Sequence, residues 1–217
     1  MSITSDASRW RYAGAFFRLN YSYDNRYLFE VNGRYDGSSK FPNNSQWGFF
    51  PSASAAWRLS EERFWKVDPK FLSNVKLRMS YGALGNSNVN PYSYLEKFSL
   101  STFSTTGTST DGRYLDGSAK LRYTKNPSQI PDNIGWETSK TVDVGIDLGF
   151  LHNKITLSAD YYVRKTIDMY TVGPTLPDTF GASSPKGNYA DMSTYGYEIS
   201  LGYNDSFKLA DRPLSFG

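Results

Sequence analysis

The sequence predicts an all-β fold: an antiparallel transmembrane β-barrel, present as a partial barrel of about seven to eight long strands. Three observations carry this. Stretches of strictly alternating apolar and polar residues recur along the 217-residue chain, and period-two alternation is a strand with two chemically different faces. These stretches run to about 11–12 residues, against about 5–6 for an ordinary strand and about 9–11 for a tilted strand crossing a hydrocarbon layer. The connections switch between compact and long, the asymmetry of short periplasmic turns and long extracellular loops.

The first strand covers about 12–23 and places Ala13, Ala15, Phe17, Leu19, Tyr21 and Tyr23 opposite Gly14, Arg18, Asn20 and Ser22. A two-residue turn at Asp24-Asn25 suits a hairpin into the second, about 26–36, where Tyr27, Phe29, Val31 and Tyr35 oppose Arg26, Glu30, Asn32 and Arg34. A polar loop, 37–46, leads to the third strand, about 47–59. Its Pro51 removes a ladder donor and predicts a bulge or local break. In the 60–73 connection, Ser60-Glu61-Glu62-Arg63 can cap a short helical turn that Asp68-Pro69 ends. The fourth strand, about 74–85, alternates Val75, Leu77, Met79, Tyr81 and Ala83 with Lys76, Arg78, Ser80 and Gly82.

A polar segment of about fifty residues follows, from Asn86 to Gly135, and a connection that long is usually functional or disordered. Within it Tyr92-Ser93-Tyr94-Leu95 and Lys120-Leu121-Arg122-Tyr123 have strand character. The fifth strand sets Val142, Val144, Ile146, Leu148 and Phe150 against Asp143, Gly145 and Asp147. A tight turn at 151–154 leads to the sixth, where Ile155, Leu157, Ala159, Tyr161 and Val163 oppose Ser158, Asp160, Tyr162 and Arg164. A Pro/Gly-rich loop spans about 168–191. The seventh strand, about 192–204, alternates Tyr195, Tyr197, Ile199, Leu201 and Tyr203 with Gly196, Glu198 and Ser200. Arg212 to Gly217 reads as the start of an eighth.

Alternation does not say which face is inside. Strand length, the small and polar second face, and Tyr23, Tyr27, Trp57, Phe150 and Tyr203 gathered beside the compact turns favour lipid outside, since amphipathic rings sit at the headgroup level. The 17 Tyr, 14 Phe and 5 Trp agree with such girdles. Mean hydropathy is -0.54 and no long apolar run exists, so no transmembrane helix is expected; a barrel strand evades hydropathy because half of it faces a wet lumen. The formal charge of +3 gives no argument for nucleic acid. Cysteine is absent, which excludes disulfides and thiolate metal sites. The first residues hold neither a basic nor an apolar signal region.

Catalytic signatures are few. The one histidine, His152, lies in a predicted turn, so a Ser-His-Asp triad has no suitable base and no metal site is expected. Asp143, Asp147 and Asp160 share the polar face with Glu30 and Glu198 on other strands. A glycosidase needs two carboxyl groups about 5–10 Å apart. Interleaved Arg26, Arg34, Arg58, Lys76, Arg78 and Arg164 point instead to cross-strand ion pairs in the lumen. No phosphate-binding glycine loop occurs and no cofactor is expected. Tyr92, Tyr94, Tyr114 and Tyr123 stand among hydroxyls and amides in the long segment; such rings suit capture of a sugar or peptide, and equally packing within the loop or against a covering partner.

An ordered set of motifs runs through the chain: Tyr21-Ser22-Tyr23-Asp24-Asn25-Arg26-Tyr27-Leu28, Gly48-Phe49-Phe50-Pro51-Ser52-Ala53-Ser54-Ala55-Ala56-Trp57-Arg58, Leu77-Arg78-Met79-Ser80-Tyr81-Gly82-Ala83-Leu84-Gly85-Asn86, Trp136-Glu137-Thr138-Ser139-Lys140, Asp160-Tyr161-Tyr162 and Tyr195-Gly196-Tyr197-Glu198. In order and spacing it resembles the later barrel strands of the SusC/RagA-type TonB-dependent outer-membrane transporters of Bacteroidetes. The resemblance implies that residues 1–217 are part of one receptor barrel domain of roughly 22 strands in the cell outer membrane. It further implies import of oligosaccharides or peptides, powered by the TonB complex and assisted by a SusD-like surface lipoprotein. The plug, the TonB box, the N-terminal domain and the closing strand of that family are not recognisable in these residues. The competing expectation is a non-transporting glycan-binding or adhesin-like β-protein; an enzyme is the least favoured.

Overall fold

The computed structural model describes residues 7–68, 70–98, 100–102, 122–124, 129–131, 134–177, 179, 184–209 and 212–216. Its strands are β1 (Tyr12–Tyr23), β2 (Tyr27–Ser38), β3 (Trp47–Arg58), β4 (Asn74–Asn86), β5 (Leu100–Thr102), β6 (Arg122–Thr124), β7 (Glu137–Phe150), β8 (Ile155–Val172), β9 (Lys186–Tyr203), β10 (Asp205–Leu209) and β11 (Arg212–Phe216). Seven form one sheet in the order β1-β2-β3-β4-β7-β8-β9, every neighbouring pair antiparallel. This is the partial up-and-down barrel that the alternation predicts.

The compact connections have turn chemistry. Asp24 and Asn25 are both left-handed (φ 48° and 53°), as a hairpin matched to strand twist requires, and the Arg26 N–H closes the turn on the Tyr23 carbonyl at 3.0 Å. Leu151, His152 and Asn153 are left-handed in succession (φ 52°, 57° and 64°). That turn is held by the 59–73 connection: the Leu151 N–H donates to the Lys70 carbonyl (3.2 Å), and the Asn153 N–H to Ser73 Oγ (3.1 Å). The expected helical turn is a short 3-10 turn, Leu59–Glu61, with no side-chain cap. Glu62 is drawn elsewhere. Tyr27 Oη (2.6 Å), Trp57 Nε1 (3.0 Å) and Arg26 Nη1 (3.3 Å) all donate to its carboxylate. Tyr27 stacks on Trp57 with centroids 6.3 Å apart, and Tyr23 lies 6.4 Å from Tyr27. The girdle at this end is therefore tied to the connector.

Pro51 breaks the sheet on one side only. The β2 ladder passes through Gly33↔Pro51, whereas the β4 ladder ends at Ser52↔Gly82, one residue short of the proline. Beyond that point β3 and β4 part, and Phe50, 6% exposed, fills the gap. Its ring lies where a Cβ at Gly85 would stand, and meets Trp136 edge-on at 5.4 Å. Trp136 also packs on Phe41 (5.1 Å), which with Val89 and Ile134 makes a buried cluster under Tyr94, Ile130 and Tyr170. The compact apolar core thus lies at the long-loop end, among connections rather than between sheet faces. On the strands, large apolar residues stay exposed: Tyr197, Leu201 and Ile199 on β9, and Phe17, Leu19 and Tyr21 on β1. These faces have no protein partner among the described residues, as expected for a lipid-facing wall.

Three expectations need correction. The 168–191 loop is shorter: β8 and β9 continue to Val172 and Lys186, past register shifts between Thr166 and Tyr170. Asp168 there is left-handed (φ 57°), and one irregular residue reverses the alternation that the sequence pattern relies on. Tyr92–Leu95 is a turn closed by the Leu95 N–H on the Tyr92 carbonyl (3.1 Å), not a strand; strand pairing within the long segment joins β5 to β6 instead. Arg212–Phe216 pairs with β10 in a separate two-stranded sheet and does not extend the main one.

Candidate functional site

The polar face of the main sheet is the best-organised surface. Its centre is Arg78 on β4. Register places Lys76 opposite Asp147, and Gly145 between Arg78 and Asp160, so three strands bring two cations to two carboxylates. Arg78 donates to Asp147 through Nε and Nη2, both at 2.8 Å, in the paired geometry that makes guanidinium–carboxylate contacts strong. The same Nη2 donates to Asp160 Oδ2 at 3.1 Å and lies 2.9 Å from Oδ1. Lys76 Nζ lies 3.5 Å from Asp147, and Ser158 Oγ donates to it at 2.9 Å. Gly145 leaves the space that the Asp160 carboxylate occupies.

A second group lies on β1 and β2. Arg18 Nη2 donates to Glu30 at 2.7 Å, and Asn32 Nδ2 reaches the other Glu30 oxygen at 3.2 Å. Ser52 Oγ donates to Asn32 Oδ1 at 2.8 Å. Arg34 forks onto Asp36 at 3.1 and 3.2 Å. Between the groups, Asn20, Ser22, Lys76, Arg78 and Asp143 help line a concavity of about 480 Å³. Asn32, Ser52, Thr141 and Arg164 help line a neighbouring one of about 590 Å³. The two share Glu30, Ser54 and Ser80, so they join into one hollow on the polar face.

Chemically this is a wall of fixed charges and hydroxyls. Of the five carboxylates raised for acid–base work, Asp147 and Asp160 are engaged by Arg78 and Glu30 by Arg18, so ion pairing accounts for these three; Asp143 and Glu198 stand on the same polar face. His152 sits in the left-handed turn. Among the described residues no group of His, Asp and Glu could hold a metal ion. Outside the strands, hydrogen bonds from Tyr27 and then Trp57 hold the Glu62 carboxyl below the ordinary carboxylate range, against desolvation.

The loop tyrosines separate. Tyr92, with left-handed backbone (φ 63°), both accepts from the Arg9 N–H (3.2 Å) and donates to the Arg9 carbonyl (3.0 Å), tying the loop to the segment before β1. Tyr94 packs on the Phe41 cluster, and Tyr123 lies on β6, opposite Ser101 of β5. Tyr114 lies outside the described residues. Sequence reasoning missed the anchoring of Tyr92, because its partner lies 83 positions away and no local pattern marks it.

A family model described as TonB dependent receptor-like, beta-barrel, matches residues 2–217. Among relatives, TonB-dependent receptor P3 of Formosa agariphila is 37% identical over 201 residues, which cover 93% of this chain and 19% of the relative. TonB-dependent receptor SusC of Bacteroides thetaiotaomicron is 35% identical over 200 residues, 91% of this chain and 19% of the relative. Among solved structures, the RagAB peptide importer in its closed-closed state aligns with a TM-score of 0.70 at 25% identity, covering 91% of this chain and 20% of that one. The chain thus spans about a fifth of the length of the relatives it matches.

Proposed function

This chain belongs to the TonB-dependent receptor-like β-barrel family, with residues 2–217 in the match, and from that premise we propose that it supplies part of the wall of an outer-membrane nutrient importer. Residues 1–217 form part of one barrel domain, and the whole protein takes up oligosaccharides or peptides, drawing energy from the TonB complex and working with a SusD-like surface lipoprotein. The observation that carries the reading is the pairing of two faces on one sheet. The outer one is apolar and girdled; the inner is hydrogen-bonded and ion-paired from β1 to β8. A polar solute passing the inner face meets hydroxyls and amides that exchange hydrogen bonds at little cost, while the ion pairs keep the wall rigid. The likeness to a peptide importer supports a polymer-derived substrate. Tyr92, Tyr94 and Tyr123, with Tyr114, belong to the long segment on the extracellular side and contact the substrate or the lipoprotein lid.

The test is uptake by cells carrying the complete protein. Deleting its gene should abolish import of one oligosaccharide or peptide class, and removing TonB or the lipoprotein should reproduce the defect. Unchanged uptake with loss of surface glycan binding would support the adhesin-like alternative.

A further inference from the structure

We propose that Lys140 and Lys165 form a site on the outward face that binds the phosphate of an outer-leaflet lipid headgroup. Lys140 on β7 and Lys165 on β8 are direct register partners, and both are exposed. They alternate in phase with Val142 and Val163, so they belong to the lipid-facing side, opposite the Arg78 network. Each stands about ten residues along its strand from the apolar turn end at Phe150 and Ile155, which is the length a tilted strand needs to cross the hydrocarbon layer. The row beneath them, Tyr81–Val142–Val163–Tyr195, ends the apolar band; their own row, Ala83–Lys140–Lys165–Ser193, sits at headgroup level.

Like charges directly opposite each other on a sheet destabilise it unless a counter-ion lies between them. Among the described residues neither lysine side chain makes a hydrogen bond or ion pair, while both backbones are in the ladder. The nearby carboxylate of Asp191 accepts instead from the Asp168 N–H at 3.2 Å. Two lysines paired in register in one row at the water–lipid boundary, with Ser193 next in that row, suit a phosphate monoester carried on acyl chains that lie along the apolar band below. Free inorganic phosphate shares the anionic chemistry but gains nothing from that band.

The test uses the complete barrel in phosphatidylcholine nanodiscs doped with phosphatidic acid, with retained lipid counted by native mass spectrometry. Lys140→Gln and Lys165→Gln should each lower retention about fivefold, and the double variant about 25-fold. Lys66→Gln, the same charge change at the other end of the molecule, should leave retention unchanged, and a double Lys→Arg variant should retain the lipid. Substrate uptake by the double variant should stay normal, so this result is independent of the import reading. Equal retention by wild type and the double variant would overturn the site. Displacement by inorganic phosphate at concentrations matching the lipid would overturn its assignment to a headgroup.

Discussion

Arg78 joins three strands through one side chain, and its removal separates a structural ion pair from a spare charge. Arg78→Ala leaves Asp147 with Lys76 alone and Asp160 without a cation. The Arg78 side chain is 30% exposed, so the cost should fall between the surface and buried limits, at about 1–3 kcal/mol in a refolding titration of the complete barrel. A loss no larger than that of Lys76→Ala would contradict the central role of Arg78. Glu62 makes a second residue-scale case. Its carboxyl is held below the ordinary range by Tyr27 and then Trp57, so its contribution is fully present above about pH 4.3 and disappears as pH falls through the depressed value. Acidification should shift Trp57 emission, read as the difference from a Trp57→Phe variant, and Glu62→Gln should remove the transition. Sequence alone placed Arg78, Asp147 and Asp160 on one face. It did not say which would meet, because that depends on register, and register is fixed by the left-handed turn at 151–153 and its anchor at Ser73.

Strand by strand, alternation was legible wherever the backbone kept its period. The extents of β1, β3 and β4 follow from it almost to the residue. It failed at the end of β8, where the bulge shifts the phase; at Pro51 the expected local break is present but only toward β4, because its effect depends on which neighbour its missing donor faces. The face assignment gives a sharp contrast on β4. Met79→Arg, on the apolar face, should destabilise the assembled barrel by about 2–4 kcal/mol near the bilayer midplane. Ser80→Arg should cost much less, since Asp143 lies opposite in register. Where β3 and β4 part, Gly85→Ala forces the Phe50 ring aside. An overpacking cost of about 1–3 kcal/mol is expected, and Phe50→Leu should relieve much of it in a double-mutant cycle.

As a whole, among the described residues, the sheet has two unpaired edges, β1 and β9, and an outer face rich in exposed aromatic and aliphatic side chains. Lipid cannot satisfy an open backbone edge, and water promotes its aggregation. Residues 1–217 expressed alone should therefore give inclusion bodies or ill-defined oligomers on size-exclusion chromatography; a monodisperse monomer without detergent would contradict this. What the sequence could not supply at this scale is the buried cluster of Phe41, Val89 and Ile134, whose members come from three separate connections and share no period. The central claim is that the apolar face of these strands looks outward into lipid. It is tested most directly by nitroxide labels placed singly from Lys76 to Tyr81 in the complete barrel in bilayers, with collision rates measured against oxygen and a polar nickel chelate. Oxygen accessibility should peak at Leu77, Met79 and Tyr81 and fall at Lys76, Arg78 and Ser80; the same period with the opposite phase would put the apolar face inside and contradict the claim.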